Sequence, residues 1–243
     1  LAVVERHHGL EVGGAQLARA GRVKALEERA DACHVRLRAP VVQVVGVLGL
    51  SVHVALQRLP RPRKLLELEP AVIEASHFFD EHNSRPLDDP RVELIANDGR
   101  NHLNLQDDET YDVIISEPSN PWLTGVSNLF TREFWALGKR KLKPGGVWGQ
   151  WVQMYGMDHE DLRSLLRTFT ETYAHVLLFS TIEDADLVLV GSDSPLELTA
   201  DRIGEMMNRD AAVALDLRTV DCETPEDVLT RYLVAQDAEF PLL

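Results

Sequence analysis

From Lys64 onward the chain alternates between two hydrophobic periods. Short apolar runs at Leu65–Leu68, Arg91–Ala96, Tyr111–Ser116, Val147–Val152, His175–Phe179 and Leu187–Val190 predict strands. Between them lie stretches with helical spacing. Pro70 suits a first helical position, and Ala71 to Phe79 sets Val72, Ile73, Ala75, Phe78 and Phe79 on one face. Weaker patterning predicts a short helix over Arg100–Leu105. Phe130–Leu142 places Phe134, Leu137 and Leu142 together and is stopped by Lys143-Pro144-Gly145-Gly146. Asp158 caps a helix reaching about Tyr173, with Leu162, Leu165, Leu166 and Phe169 inward. Thr199 and Thr224-Pro225-Glu226-Asp227 open two C-terminal helices, the second with a capping box. His82–Pro90 reads as a loop.

Strands separated by helices predict an α/β fold, a doubly wound and mostly parallel sheet. The His175 and Leu187 strands are joined by a short link and are expected to pair antiparallel. In such sheets ligands bind beyond the carboxyl ends of the strands. That rule selects Glu67 with Glu69, then Asn97-Asp98-Gly99, then Ser116 to Trp122.

Charge divides the chain. Its net charge is −14, yet residues 1–66 carry +6 and residues 67–243 carry −20. All 15 aromatic residues also lie after residue 66. A separate basic arm and a stretch from a shifted reading frame both produce such a break. The expected division is therefore an atypical segment at 1–64 and one domain at 65–243. Net acidity argues against a nucleic-acid partner, since phosphate binding needs clustered Lys and Arg. Cys33 and Cys222 are too far apart and too few for a disulfide framework or a metal motif. The apolar window Val41–Leu56 is broken by Gln43, Ser51 and His53 and is too short to span a bilayer. The first residues lack a signal-peptide layout. A soluble, cytoplasmic protein is the expectation, with no membrane partner for this chain.

The strand-end residues admit two readings each. Glu67 is a solvated strand end or an acceptor for both hydroxyls of a ribose. A ribose acid calls for a glycine-rich loop about 20 residues earlier, and Gly46-Val47-Leu48-Gly49-Leu50-Ser51 sits there with two glycines instead of three. Asp98-Gly99 is a turn or presents a carboxylate to an adenine amino group. Glu117 is a strand exit or a base whose partial burial raises its pKa. Trp122 is a rim tryptophan or a flat wall for a ligand. His7-His8, His77 and His82 have no ligand spacing, and neither a zinc nor an iron pattern is visible, so no metal is expected.

In combination, LELEPAVIEASHFFDEHN, LDDPRVELIANDGR, YDVIISEPSNPW, LFTREFWALGKRKLKPGGV and the following Gln150 resemble the spermidine synthase (polyamine aminopropyltransferase) family over about Leu65–Tyr173. They are most similar to its branch whose members are often fused to membrane transporter halves. The resemblance implies a Rossmann-like fold of the class I methyltransferase type. It implies aminopropyl transfer from decarboxylated S-adenosylmethionine to putrescine or a related polyamine. Gly46, Gly49, Glu67, Asp98 and Gly99 would hold the donor, with Glu67 on the ribose and Asp98 on the adenine. Glu117 would be catalytic, and Asn120, Trp122 and Gln150 would face the acceptor. Family members are commonly dimers or tetramers, which makes a homo-oligomer an expectation.

The chain departs from the family at its ligand positions. The family's Asp-Ser-Ser/Thr-Asp-Pro is here Glu117-Pro118-Ser119-Asn120-Pro121. Residues 1–64 lack the gate tyrosine, and Thr181-Ile182-Glu183-Asp184 stands where a substrate-side tyrosine is expected. Two other readings therefore stay open: methyl transfer from intact S-adenosylmethionine, and a non-catalytic remnant of the fold.

Overall fold

A computed structural model describes residues 41–45, 63–83, 85–182, 185–209, 211–218 and 220–235. In chain order the strands are β1 (Val41–Val45), β2 (Arg63–Glu67), β3 (Val92–Ala96), β4 (Tyr111–Glu117), β5 (Leu142–Gln153), β6 (His175–Ile182), β7 (Asp186–Ser192) and β8 (Tyr232–Ala235). The α-helices are α1 (Pro70–Ser76), α2 (Asp80–Asn83), α3 (Gly99–Leu105), α4 (Arg132–Lys141), α5 (His159–Thr172), α6 (Ala200–Arg209), α7 (Ala211–Arg218) and α8 (Pro225–Leu229). They build one eight-stranded sheet in the order β3-β2-β1-β4-β5-β7-β6-β8. The pairs from β3 to β5 are parallel, and β7, β6 and β8 join antiparallel.

Two strands extend the sequence-based picture. β1 pairs with both β2 and β4, so the sheet reaches back beyond residue 65 into the segment set apart by its charge. β8 closes the far edge, and α7 separates the two C-terminal helices that were expected. The Lys143-Pro144-Gly145-Gly146 stop takes an unexpected form. β5 follows α4 directly, and one residue of β4 spans the gap between Tyr111↔Leu142 and Val113↔Val147. Residues 143–146 bulge out of the strand there, with Gly145 at φ +78°. A side chain at Gly146 would put Cβ 2.9 Å from the Lys143 carbonyl oxygen.

Local chemistry sets the helices that carry the core. Thr131 caps α4 by accepting from the Phe134 N–H, at 3.2 Å. Glu133 sits in its first turn and Lys139, Arg140 and Lys141 in its last, matching the helix dipole. Asp158 caps α5 through the Asp161 N–H, at 2.8 Å. Phe134, Trp135, Leu137, Leu166 and Phe169 from these helices pack on Leu66, Ile114, Trp148, Val152, Leu187 and Leu189 of the sheet. Each large apolar side chain buried this way stabilises by about 1.5–3 kcal/mol. A smaller cluster of Val147, Leu177, Leu196 and Tyr232 covers part of the opposite face.

Candidate active site

Alternation along the strands decides which side chains share a face. Leu66, Ile114, Trp148, Val152, Leu187 and Leu189 face α4 and α5. Their strand neighbours Glu67, Glu117, Trp151, Gln153 and Asp186 therefore face the other way. Register places them at one end of the sheet. Val44 of β1 lies level with both Leu66 and Ser116, so Glu67 and Glu117 are level across β1. Ser116 lies level with Gln150, which puts Trp151 beside Glu117. Gln153 pairs with Asp186. These are the carboxyl ends of β2, β4 and β5, joined by the start of the reversed β7.

Glu67 ends β2 with only 7% of its surface exposed. Oε1 accepts from the Glu69 N–H at 2.9 Å, and Oε2 is buried with no hydrogen-bond partner among the described residues. Burial pushes its carboxyl above the ordinary range, while the backbone N–H groups of Glu69 and Leu68 pull the other way. Glu69 is occupied differently. It caps α1, its Oε1 accepting from the Ala71 N–H at 3.1 Å. Of the two acids at this strand end, Glu67 is the one with a buried oxygen to offer.

Asp98 caps α3, its Oδ1 accepting from the Asn101 N–H at 2.7 Å. Asn97 accepts in turn from the Asp98 N–H at 2.8 Å, and Gly99 is the first helical residue. One Asp98 oxygen thus orders the helix start. The other makes no hydrogen bond among the described residues. Gly46 and Gly49 lie outside the described residues.

Beyond β4 the chain turns at once. Ser116 is fully buried with an unpartnered hydroxyl, Glu117 and Pro118 are buried, and Ser119 and Asn120 are half-buried. The Leu123 N–H donates to the Asn120 carbonyl at 3.0 Å and tightens the turn. Trp122 is 47% exposed. It meets Tyr155 edge-on, with ring centroids 6.3 Å apart. A Cβ at Gly156 would approach its ring to 2.9 Å, so Gly156, at φ +77°, is what lets the indole sit there. Trp122 thereby joins the loops that follow β4 and β5.

Gln150 does not belong to this face. It is fully buried and its amide is saturated. Oε1 accepts from the indole N–H groups of Trp135 at 3.0 Å and Trp148 at 3.3 Å. Nε2 donates to the carbonyls of Ser116 at 3.3 Å and Trp151 at 3.0 Å. Its task is to satisfy two tryptophans in the core, which corrects the expectation that it faces the acceptor. Gln150→Ala leaves two indole donors without an acceptor and should cost about 1–3 kcal/mol each. Thermal melting should show that loss, with ligand affinity unchanged in the folded fraction.

Asp186 and Gln153 were not singled out from the sequence as site residues. Both are more than nine-tenths buried. Oδ1 of Asp186 and Oε1 of Gln153 have no hydrogen-bond partner among the described residues. The readable signal was an aspartate opening the apolar strand Leu187–Val190. The paired position of Gln153 was not readable, because it depends on the β5–β7 register.

No helix among the described residues is long and apolar enough to cross a membrane. Among the same residues, no group of three or more His, Cys, Asp or Glu is placed to hold a metal ion.

Comparison with known proteins gives this geometry a context. Residues 41–183 match the model of the spermine/spermidine synthase domain. A polyamine aminopropyltransferase of Escherichia coli O1:K1 / APEC is 39% identical over 84 residues, covering 34% of this chain and 28% of the relative. The match thus spans under a third of that relative's length. A spermidine synthase solved in complex with the transition state analogue AdoDATO superposes with a TM-score of 0.58 at 19% identity, covering 74% of this chain and 65% of that one. Human methyltransferase-like protein 13, solved in complex with SAH, gives 0.53 at 17% identity, covering 84% of this chain and 91% of that one. At such identities these structures establish the fold, a Rossmann-like sheet of the class I methyltransferase type.

Proposed function

Because the chain belongs to the spermine/spermidine synthase domain family, we propose that it transfers an aminopropyl group from decarboxylated S-adenosylmethionine to a polyamine such as putrescine. The observation that carries this reading is the pair of buried carboxylates Glu67 and Glu117. They lie level on one face at the ligand-binding edge, with β1 between them. Two strand spacings make about 10 Å.

Each carboxylate has a distinct task in this reading. Glu67 takes the donor's ribose hydroxyls on Oε2, the buried oxygen that lacks a partner. Asp98 offers its second oxygen to the adenine amino group while its first caps α3. Glu117 orients the acceptor amine in its neutral form. The nitrogen lone pair attacks the propyl carbon next to the sulfonium. The carbon–sulfur bond breaks toward sulfur, which leaves as the neutral thioether of methylthioadenosine. The proton released from nitrogen passes to Glu117. Trp122 and Asn120 border the acceptor side.

A second reading is methyl transfer from intact S-adenosylmethionine. Asn120 favours it, because an amide in place of a second acid leaves room for the donor's own carboxylate. One experiment separates the two. Purified protein is given putrescine with the decarboxylated donor, and separately with the intact donor. Spermidine with methylthioadenosine supports the first reading, and S-adenosylhomocysteine supports the second. Calorimetry that detects neither donor overturns both.

Glu67→Gln supplies a further check. The loss of a charged acceptor for ribose hydroxyls should weaken donor binding by roughly 10- to 100-fold. The free protein should respond oppositely. Glu67 titrates higher in the fold than in the unfolded chain, so ionising it opposes folding. That cost is absent below the ordinary glutamate pKa and fully present above the raised one. The variant should therefore melt higher than wild type at neutral pH, with the advantage vanishing in acid.

A further inference from the structure

The floor of the site continues past Glu117. Trp151 stands beside Glu117 on β5, and Gln153 and Asp186 follow on β5 and β7. All four side chains point to the same face of the sheet. The backbone is firmly closed here: the Met154 N–H donates to the Ala185 carbonyl at 2.7 Å, continuing the ladder past its last pair. The indole of Trp151 lies on the same face as the Asp186 carboxylate and draws its pKa down against the effect of burial.

Among the described residues, two acceptor oxygens in this corner have nothing to accept from. Oδ1 of Asp186 and Oε1 of Gln153 are buried and unpartnered on directly paired residues. Paired positions bring Cβ atoms within about 5.5 Å, so one small donor can meet both oxygens. Asp186 forms no ion pair with any described residue. Burial holds its carboxyl above the ordinary range, against the pull of the Trp151 N–H. A buried carboxylate and an amide oxygen facing each other without a donor form an incomplete polar site.

We infer that Asp186 and Gln153 form an anchor for a primary ammonium group, the far end of the acceptor whose near amine lies at Glu117. The inference rests on the proposed aminopropyl transfer for the identity of that acceptor. Distance supports the pairing. Asp186 lies two strand spacings, about 10 Å, across the sheet from Glu117 and two residues, about 7 Å, farther along it, or about 12 Å in all. A four-carbon diamine with bonds of about 1.5 Å separates its nitrogens by roughly 6 Å. Hydrogen bonds of about 3 Å at each end close the remaining gap. An ammonium has three donors, enough for Asp186, Gln153 and one further acceptor. A negative charge at Asp186 also supplies what Asn120 lacks. In this arrangement the acceptor's cation is held two strands away from the reacting carbon.

The test is direct binding with the full chain. Putrescine is titrated by calorimetry in the presence of methylthioadenosine, alongside 1-aminobutane, which has the same length and lacks the second ammonium. Wild type should bind putrescine more tightly than 1-aminobutane. Asp186→Asn should weaken putrescine by roughly 10- to 100-fold and bring it down to the level of 1-aminobutane. Gln153→Leu, which keeps the carboxylate, should weaken putrescine less. Methylthioadenosine affinity should stay unchanged in both variants, which reports that they are folded. Putrescine binding that is undetectable in wild type, or equal in wild type and Asp186→Asn, overturns the anchor. Selective weakening without spermidine formation keeps the anchor and overturns the proposed transfer.

Discussion

Glu117→Gln should lower turnover by about 10²- to 10⁴-fold and leave donor affinity unchanged. The substitution preserves volume, so the strand end and the buried turn after it keep their shape. What disappears is the capacity to take a proton from the attacking amine. At physiological pH most of the acceptor is protonated, and only a base at the reaction centre stabilises the attacking neutral form as the bond develops. In the proposed assignment donor binding rests on Glu67, which lies two strands away and which the change does not touch. Single-turnover kinetics with saturating donor, together with calorimetry on the donor alone, separates the two effects. Unchanged turnover would remove Glu117 from its proposed task. Lost donor affinity would move it to the donor side.

Gly138→Ala should be the most damaging single methyl added to the core. Helix propensity alone favours alanine by about 1 kcal/mol. Packing opposes it strongly. A Cβ on Gly138 of α4 would stand 1.9 Å from Cζ3 of Trp148. Trp148 cannot retreat: it is fully buried, edge-on to Phe134 at 5.2 Å and tilted against Tyr173 at 6.5 Å. Its indole N–H is also tied to Gln150. Overpacking at such a point costs about 3 kcal/mol or more. At roughly 2–4 °C per kcal/mol for a chain of this size, the melting temperature should fall by about 6–12 °C. An unchanged or raised melting temperature would mean that α4 shifts on the sheet more freely than its packing indicates.

Helix starts in both the parallel and the antiparallel part of the fold were legible because period and caps agree there. Asp158, Thr224 and Pro70 mark helix starts in the sequence, and each occupies the expected capping or first-turn position. The antiparallel pairing of β6 with β7 followed from the shortness of their link. The misreadings share a cause. Sequence gives the polarity of a residue but not the face it takes. Gln150 looked like a ligand for a substrate because a glutamine in an apolar strand needs a reason. The reason is two buried tryptophans that each require an acceptor. Asp98 illustrates a related ambiguity, since an aspartate at a helix start serves as a cap whether or not it also meets a ligand. Glu67 and Glu69 were inseparable in sequence until α1 used one of them as its cap. β8 is four residues long, too short for its period to register.

The reversal of β7 has a consequence for mutation. Glu67, Asp98 and Glu117, proposed for the donor and for proton transfer, end or follow parallel strands encoded before residue 120. The proposed ammonium anchor is encoded after residue 150, with α4 and the bulge at 143–146 intervening. Mutations that retune the acceptor end therefore need not disturb the register that holds the donor end. Substitutions at the two proposed ends should therefore change donor and acceptor affinity separately, with nearly additive effects in the double variant.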